Sequence, residues 1–195
     1  MNSYFTPLSA EPLLVVIIGP GGVGKGSVVK DLVARDSRLW LSKSWTTRTK
    51  RPSESGDEYV FVTPEAFREA IAADAFLEWA EFQGHLYGTP RPSLEATHDL
   101  LLEIEIQGAQ HVRQKNPEAV IILLTAPSKS VLEERLRSRG DDEEHVQRRL
   151  TSSEYELDIG RQLADFVVVN EEVSTTVAEI SSILEGLRQS RRSIS

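Results

Sequence analysis

A glycine-rich segment with a single lysine follows directly after an apolar run. Residues 19–27 contain the pattern Gly-x-x-x-x-Gly-Lys, and the run Leu13–Ile18 precedes them. Glycines let backbone N–H groups converge on an anion, a following helix adds the positive end of its dipole, and the lysine adds a full charge. The segment predicts a cradle for a diphosphate or triphosphate, with an incidental glycine-rich turn as the alternative. The predicted cradle residues are Gly19, Pro20, Gly21, Gly22, Val23, Gly24, Lys25, Gly26 and Ser27.

The residue after Lys25 departs from the usual form of this pattern. Gly26 stands where a Ser or Thr commonly supplies a hydroxyl to magnesium. Ser27 comes next and is expected to take part of that hydroxyl role.

An arginine-rich segment, residues 44–54, is a candidate for a second phosphate site. Arg48 and Arg51 lie three residues apart beside several hydroxyl side chains, and guanidinium groups match the oxygens of a phosphate. Taken alone, the segment is better explained as a solvated basic loop. Together with the phosphate cradle, it suggests transfer of a phosphoryl group between two bound nucleotides.

Strand and helix patterns predict the scaffold that positions these residues. Three of four short β-rich runs are almost continuously apolar, as strands buried on both faces of a parallel sheet are. The runs are Leu13–Ile18, Leu100–Ile106, Ala119–Ala126 and Phe166–Val169. The predicted helices are Lys25–Arg35, Gly108–Lys115, Ser128–Arg137, Glu143–Leu157 and Ser174–Leu187. Their alternation predicts an α/β fold with right-handed crossovers.

Two stretches interrupt the alternation. Residues 43–90 mix hydroxyl, arginine and aromatic side chains, and we expect a small insertion with its own sheet. Within it, the pattern of Phe76–Phe82 predicts a strand with one solvent-facing side. The stretch Arg137–Arg149 is nearly all charged and is expected to form a mobile loop that leads into a helix.

Composition narrows the class of protein. The chain has 195 residues, no cysteine and a formal net charge of −8, which excludes cysteine-ligated metal sites and disfavours binding to nucleic acid or anionic membranes. No apolar run reaches the roughly 18 residues of a membrane span, and no secretory signal is evident. A soluble cytoplasmic protein is expected. Residues 1–51 nevertheless hold 8 basic and 3 acidic side chains, so anion binding is expected to be local.

Nine segments in order make the sequence resemble the guanylate kinase family. They extend from the glycine-rich segment to Asn170, directly after the last apolar run. They are GPGGVGKGS (19–27), SWTTRTKRPSE (44–54), EYVFV (58–62), FLEWAEFQGHLYGT (76–89), LEIEIQGA (102–109), APS (126–128), RLRSRG (135–140), RRL (148–150) and VVVN (167–170).

The resemblance implies a fold and a division of the chain. The expected architecture is the P-loop NTPase fold, a central parallel sheet flanked by helices, with a small mixed α+β insertion that binds GMP and a short helical lid. Residues 1–42, 91–134 and 151–195 would form the core that binds ATP. Residues 43–90 would form the GMP-binding region, and residues 135–150 the lid.

The resemblance also implies an acceptor site for GMP. Glu78 would accept hydrogen bonds from guanine N1–H and the exocyclic amine, a pair of donors that adenine lacks. Without the resemblance, Glu78 and Trp79 indicate an ordinary half-exposed strand. The residues implied for the GMP phosphate are Arg48, Arg51, Tyr59 and Tyr87. The other residues implied for GMP are Ser44, Glu54, Thr89 and Glu105.

The implied donor site uses the cradle and residues far along the chain. Asn170 matches a position that contacts adenine. Ser27 and Glu105 would hold Mg²⁺, through water, although the family usually has Asp where this chain has Glu105. The residues implied for catalysis are Lys25, Arg48, Arg139 and Arg149, with Arg135 and Arg148 as further lid arginines. Because the GMP phosphate is already an anionic nucleophile, no general base is assigned.

The implied activity is transfer of the γ-phosphoryl group of ATP to GMP, and to dGMP, with Mg²⁺ as the cofactor. The expected partners are the small molecules ATP and GMP, without nucleic acid or membrane, for a monomer or homodimer. Two alternatives stay open, namely a non-catalytic guanylate-kinase-like binding module and a kinase for another nucleoside monophosphate. Binding modules usually lose the cradle lysine or glycines, whereas Gly19, Gly24 and Lys25 are present here.

Overall fold

The computed structural model describes residues 12–50, 56, 59–82, 84–91, 98–138 and 143–194. Within them, nine strands and six helices alternate along the chain. In chain order the elements are β1 (Leu14–Ile18), α1 (Lys25–Arg35), β2 (Leu39–Leu41), β3 (Trp45–Thr46), β4 (Val60–Phe61), α2 (Pro64–Ala72), β5 (Phe76–Phe82), β6 (His85–Pro90), β7 (Asp99–Glu103), α3 (Ile106–Lys115), β8 (Val120–Thr125), α4 (Lys129–Arg137), α5 (Glu143–Leu163), β9 (Phe166–Val169) and α6 (Val173–Ile194).

The larger sheet is parallel, in the order β2-β7-β1-β8-β9. Its central strands are buried on both faces. Val15 and Ile17 pack on one side with residues of α1 and α6, and Val16 and Ile18 pack on the other with residues of α3. The prediction of a central parallel sheet flanked by helices is therefore confirmed. Its carboxyl ends lie at one edge, where ligands bind in sheets of this kind.

Several boundaries differ from the sequence prediction. Strand β7 ends at Glu103 rather than at Ile106, because the backbone of Glu105 already caps α3 and Ile106 is its first helical residue. Helix α5 begins at Glu143 as predicted but continues to Leu163. The charged stretch Arg137–Arg149 is therefore helical from Glu143 onward.

A smaller sheet lies within residues 45–90. Its strand order is β4-β3-β6-β5, and β3 pairs with β4 in parallel and with β6 antiparallel. Helix α2 packs beneath it, where Phe67 stacks on Phe76 with ring centroids 4.6 Å apart. A side chain at Gly88 would collide with both rings. The predicted sheet of the 43–90 stretch is thus present, whereas its role as a binding region stays a prediction.

Strand β5 has the predicted solvent-facing side, but at its centre the charged side chain is buried and the neighbouring aromatic side chain is exposed. Glu78 is 3% exposed, whereas Trp79 is 41% exposed. Since burying an ionisable group is costly unless it is paired or hydrogen-bonded, the inversion directs attention to Glu78.

Two elements escaped the sequence prediction. Strand β2 has three residues, too few to show a period. Helix α2 begins with Thr63 and Pro64, and the Thr63 hydroxyl accepts a hydrogen bond from the Ala66 N–H, a start signal that the sequence did contain. In the ranges that the structure describes, no helix combines the length and apolar character needed to cross a membrane.

Candidate functional site

The predicted cradle forms a tight turn between β1 and α1. Gly22 and Gly24 adopt φ angles of +93° and +98°, a region that other residues rarely occupy, and Gly24 caps α1. The turn closes with a hydrogen bond of 3.2 Å from the Val23 N–H to the Pro20 carbonyl. The N-terminus of an eleven-residue helix therefore opens into the cleft, an arrangement suited to a phosphate.

Two cations lie against this turn. Lys25 Nζ donates a hydrogen bond of 2.5 Å to the Gly19 carbonyl, so the side chain folds back across the loop. Arg149 reaches it from α5, and a side chain at Gly21 would lie 2.5 Å from Arg149 Nη1. Backbone donors and both cations thus surround one space.

The far side of the turn is fixed by buried hydrogen bonds. The Val23 carbonyl accepts from Asn170 Nδ2 at 2.8 Å and from Arg135 Nη1 at 3.2 Å. Thr176 Oγ1 lies 2.9 Å from Asn170 Oδ1, and Asn170 is 2% exposed. The amide of Asn170 is therefore bonded at both ends within the protein and supports the loop.

Arg48 and two tyrosines form the opposite wall of the cleft. The Arg48 guanidinium lies 4.9 Å from the ring centre of Tyr59, whose ring is 6.1 Å from that of Tyr87. Burial, reinforced by the charge of Glu103, raises the pKa of Tyr59. Its phenol therefore stays protonated and can donate a hydrogen bond to an anion.

A polar pocket continues from this wall under the smaller sheet. Glu78 Oε1 accepts hydrogen bonds from the Thr89 N–H at 3.1 Å and from Thr89 Oγ1 at 2.5 Å, across the paired strands β5 and β6. Burial raises the pKa of Glu78. Ser44, which is 7% exposed, lines the same pocket. A nearly buried carboxylate with further lone pairs is suited to a ligand with paired N–H donors.

Acidic side chains form the floor between the pocket and the cradle. Glu103 lies at the end of β7, and a side chain at Gly26 would lie 3.7 Å from its Oε2. Glu105 lines both spaces, although it precedes α3 instead of ending the strand as predicted. Glu156 of α5 also faces the cleft, and burial together with the charge of Glu105 raises its pKa to about 7.

Glu156 and Ser152 are cleft residues that the sequence reasoning missed. Both lie on the face of α5 that carries Arg149, at spacings of three and seven residues, which bring side chains to one side of a helix. Extending that face from Arg149 would have found them.

A divalent cation would not find a complete protein cage here. Across the described ranges, no three His, Cys, Asp or Glu side chains converge to hold a metal. Glu103 and Glu105 share the cleft with Lys25, and such an arrangement suits Mg²⁺, which binds through one or two carboxylates, water and substrate phosphates. The residues present fit a metal that arrives with its nucleotide.

The structure brings most, but not all, of the predicted site residues into one cleft of about 160 Å³ and its adjoining pocket. The predicted residues found there are Pro20, Gly21, Gly22, Gly24, Lys25, Gly26, Ser44, Arg48, Tyr59, Glu78, Tyr87, Glu105 and Arg149. Thr89 joins them through its bonds to Glu78.

Other predicted residues lie elsewhere. Ser27 and Asn170 line a second opening beside Arg135, on the other side of the turn from Glu105. Ser27 and Glu105, predicted to share a metal, thus face different spaces. The predicted residues Arg51, Glu54 and Arg139 lie outside the described residues.

Comparisons with known proteins agree on one family. The family model described as guanylate kinase matches residues 11–187. A guanylate kinase from Prochlorococcus marinus (strain MIT 9313) is 46% identical over 182 residues, covering 90% of this chain and 96% of that protein. A guanylate kinase from Thermus thermophilus is 45% identical over 182 residues and covers 90% of this chain and 81% of that protein.

Solved structures that resemble this chain include a guanylate kinase and a kinase of another family. The crystal structure of guanylate kinase from Anaplasma phagocytophilum superposes with a TM-score of 0.75 at 29% identity, covering 94% of this chain and 89% of that one. A shikimate kinase from Acinetobacter baumannii superposes with a TM-score of 0.54 at 13% identity, covering 91% and 95%. The second match shows a shared fold alone.

Proposed function

Because the chain belongs to the guanylate kinase family, we propose that it transfers the γ-phosphoryl group of ATP to GMP, giving ADP and GDP, and that it accepts dGMP. The observation that carries the proposal is the continuity of two spaces. The cradle with Lys25 and the pocket with the buried Glu78 carboxylate share Tyr59, Tyr87 and Glu105 as lining residues. A donor phosphate and an acceptor nucleotide can therefore meet in one cleft.

Glu78 is the proposed base-recognition residue. One carboxylate oxygen is held by Thr89, which leaves lone pairs for guanine N1–H and the 2-amino group. An adenine there would present an acceptor at N1, and the buried carboxylate would lose its partners. A polar site left unpaired in this way rejects the wrong ligand strongly. Ser44 would complete the base pocket.

The acceptor phosphate is proposed to lie against Arg48, Tyr59 and Tyr87. The guanidinium supplies charge and the protonated phenols supply donors. Arg51 and Glu54, implied by the family resemblance, stay proposed members of this site. This side would present a phosphate oxygen towards the cradle.

The donor triphosphate is proposed to lie in the cradle. Loop N–H groups and the α1 terminus would hold its phosphates, while Lys25 and Arg149 would neutralise charge on the transferring group. Arg139 is proposed to act with them from the lid. Asn170 and Arg135 would border the nucleoside end, where they fix the loop.

Mg²⁺ is the proposed cofactor, and it would supply charge neutralisation between donor phosphates. Glu105, and Glu103 beside Gly26, are proposed to hold it through water. Ser27 stays a proposed ligand, although it lines the other opening.

The remaining sequence-based predictions are retained as proposals. Residues 43–90 would act as the GMP-binding region, residues 135–150 as the lid, and the rest as the core. Closure of the first two around both nucleotides would exclude water and suppress hydrolysis of ATP. A cytoplasmic location and a monomer or homodimer complete the proposal.

A nucleotide panel tests the proposed function. Release of ADP from Mg-ATP is measured with GMP, dGMP, AMP, CMP or UMP as the acceptor, against a blank with ATP alone. Turnover with GMP and dGMP is expected. Absence of GMP turnover above the blank would overturn the proposal. Calorimetric binding of GMP without turnover would favour a binding module, and preference for AMP would favour another monophosphate kinase.

A further inference from the structure

Gly108, in the first turn of α3, lies directly against the Glu78 carboxylate. A Cβ at Gly108 would lie 2.7 Å from Glu78 Oε2 and 3.2 Å from Glu78 Cδ. Gly108 has the ordinary backbone of a helix, so the chain conformation itself does not require glycine. A glycine inside a helix is less favourable than an alanine. The neighbouring carboxylate is the feature that needs the missing side chain.

The same helix face holds the strand that carries Glu78. His111 Nδ1 lies 3.2 Å from the Trp79 carbonyl, and Lys115 Nζ donates a hydrogen bond of 2.9 Å to the Leu77 carbonyl. Gly108, His111 and Lys115 follow one another at spacings of three and four residues, so they share one face of α3. The strand is thus fixed to the helix on both sides of Glu78.

The two oxygens of Glu78 have different surroundings. Thr89 donates two hydrogen bonds to Oε1, whereas Oε2 faces the first turn of α3. N–H groups in the first turn of a helix have no partner within the helix, and its dipole favours a negative charge. The close approach at Gly108 therefore sets how deeply the carboxylate lies in the pocket, beside the first turn of α3.

We propose that Gly108 is a specificity-determining positioning residue, whose missing side chain sets the depth of the Glu78 carboxylate so that it meets both the N1–H and the 2-amino group of guanine. This inference rests on the proposed GMP kinase function. A methyl group at position 108 would displace the end of a flexible side chain rather than the backbone. The expected result is a loss of base recognition without a loss of fold.

The test compares Gly108→Ala with Gly186→Ala, a matched control. Gly186 lies in α6, and a Cβ there would meet nothing within 4 Å. In Gly108→Ala the KM for GMP is expected to rise about tenfold, with the KM for ATP within twofold and an unchanged Tm. The preference for GMP over inosine monophosphate, whose base lacks the 2-amino group, should fall. Gly186→Ala should change neither constant.

A second variant separates positioning from general packing. Asp in place of Glu78 is one methylene shorter and leaves room for a methyl group at position 108. The rise in GMP KM caused by Gly108→Ala should therefore be smaller in a Glu78→Asp background than in the wild type. Equal rises in both backgrounds would overturn the inference.

The outcomes also separate this inference from the proposed function. A wild-type protein that does not phosphorylate GMP refutes the function, and the inference falls with it. An active wild type with unchanged GMP KM and unchanged base preference in Gly108→Ala overturns the inference alone. Loss of the folded state in Gly108→Ala also overturns it, because the contact would then be a packing requirement.

Discussion

The phosphate cradle and the pocket around Glu78 would recognise their proposed ligands with different parts of the chain. The cradle uses backbone N–H groups, which every residue except proline carries, so its main determinants are a short run of glycines, Gly22 and Gly24 among them, and one lysine. These residues are neighbours in sequence, and they specify most of the geometry. A site of this kind is visible in sequence because its determinants are local.

The pocket around Glu78 depends on side chains from separate segments. Glu78 comes from β5, Thr89 from β6, Gly108 from α3 and Ser44 from the loop before β3. The pocket buries a carboxylate whose pKa is raised. Burial of this charge lowers the stability of the fold, a cost that the backbone donors of the cradle do not carry. Binding of a phosphate would therefore depend mainly on neighbouring residues, whereas base selection would depend on residues from separate segments and would be lost more easily.

The largest expected effect is in the cradle. Lys25→Ala should lower kcat by about 1,000-fold or more, because the positive charge that would neutralise the transferring phosphoryl group is lost. The turn is held by Val23 and Gly24, so Tm should change by only a few degrees. Lys30→Ala, an exposed lysine of the same helix, should keep full activity. Turnover in Lys25→Ala above a tenth of the wild-type rate would contradict the assigned role.

In the pocket around Glu78, we expect a substitution to lower base preference without lowering stability. Glu78→Gln should lower the preference for GMP over AMP by about 100-fold, because one acceptor becomes a donor. Because burial raises the pKa of Glu78, the ionised form costs folding free energy above its ordinary titration range, and the neutral amide avoids this cost. The variant should thus unfold at an equal or higher urea concentration at pH 8.

Glu81→Gln provides the matched control for this prediction. Glu81 lies on the same strand but is exposed, so neither base preference nor stability should change. Unaltered discrimination against AMP in Glu78→Gln would remove Glu78 from the base pocket and with it the contrast between the two regions.

A smaller effect on ATP binding is expected from Asn170, a distant residue that supports the cradle. Asn170→Ala removes one hydrogen bond to the Val23 carbonyl, which Arg135 also contacts. The free energy of unfolding should fall by about 1–2 kcal/mol. The KM for ATP should rise severalfold, while the KM for GMP stays unchanged.

Thr176 allows a graded version of the same experiment. Thr176→Val removes the hydroxyl that faces Asn170 Oδ1, so it should weaken ATP binding less than Asn170→Ala does. The exposed neighbour Thr175 supplies the control Thr175→Val. Parallel rises in the KM values for ATP and GMP would show that Asn170 supports the whole fold rather than the cradle.

Sequence patterns predicted the scaffold better than the pocket. Helix α1 has the predicted bounds, and all four apolar runs form strands of the parallel sheet, because buried strands have a strong apolar signal. The two-residue strands β3 and β4 are too short to show a period. They form only because the smaller sheet pairs them.

Strand β5 departs from the local rule that hydrophobic side chains are buried and charged ones exposed. Alternation places Glu78 and Trp79 on opposite faces, and hydrophobicity would bury Trp79, yet Glu78 is the buried residue. Family resemblance predicted a role for Glu78, whereas nothing local did. Gly108 needed the tertiary structure, since it is defined by what it faces across the pocket.

Glu156 lies against both the cradle and the acidic floor, and it gives the smallest expected effect. Burial and Glu105 raise its pKa from the usual 4.5 to about 7, so between these pH values the folded protein keeps a proton that the unfolded chain has lost. Stability should therefore fall as pH rises from 4.5 to 7, by on the order of 1 kcal/mol after allowance for partial exposure.

In urea unfolding with EDTA, Glu156→Gln should match the wild type at pH 4.5 and exceed it at pH 8, whereas the exposed Glu179→Gln should follow the wild type throughout. Equal stability of Glu156→Gln and wild type at pH 8 would mean that Glu156 is solvated like Glu179, and that the boundary between the two regions carries no buried charge.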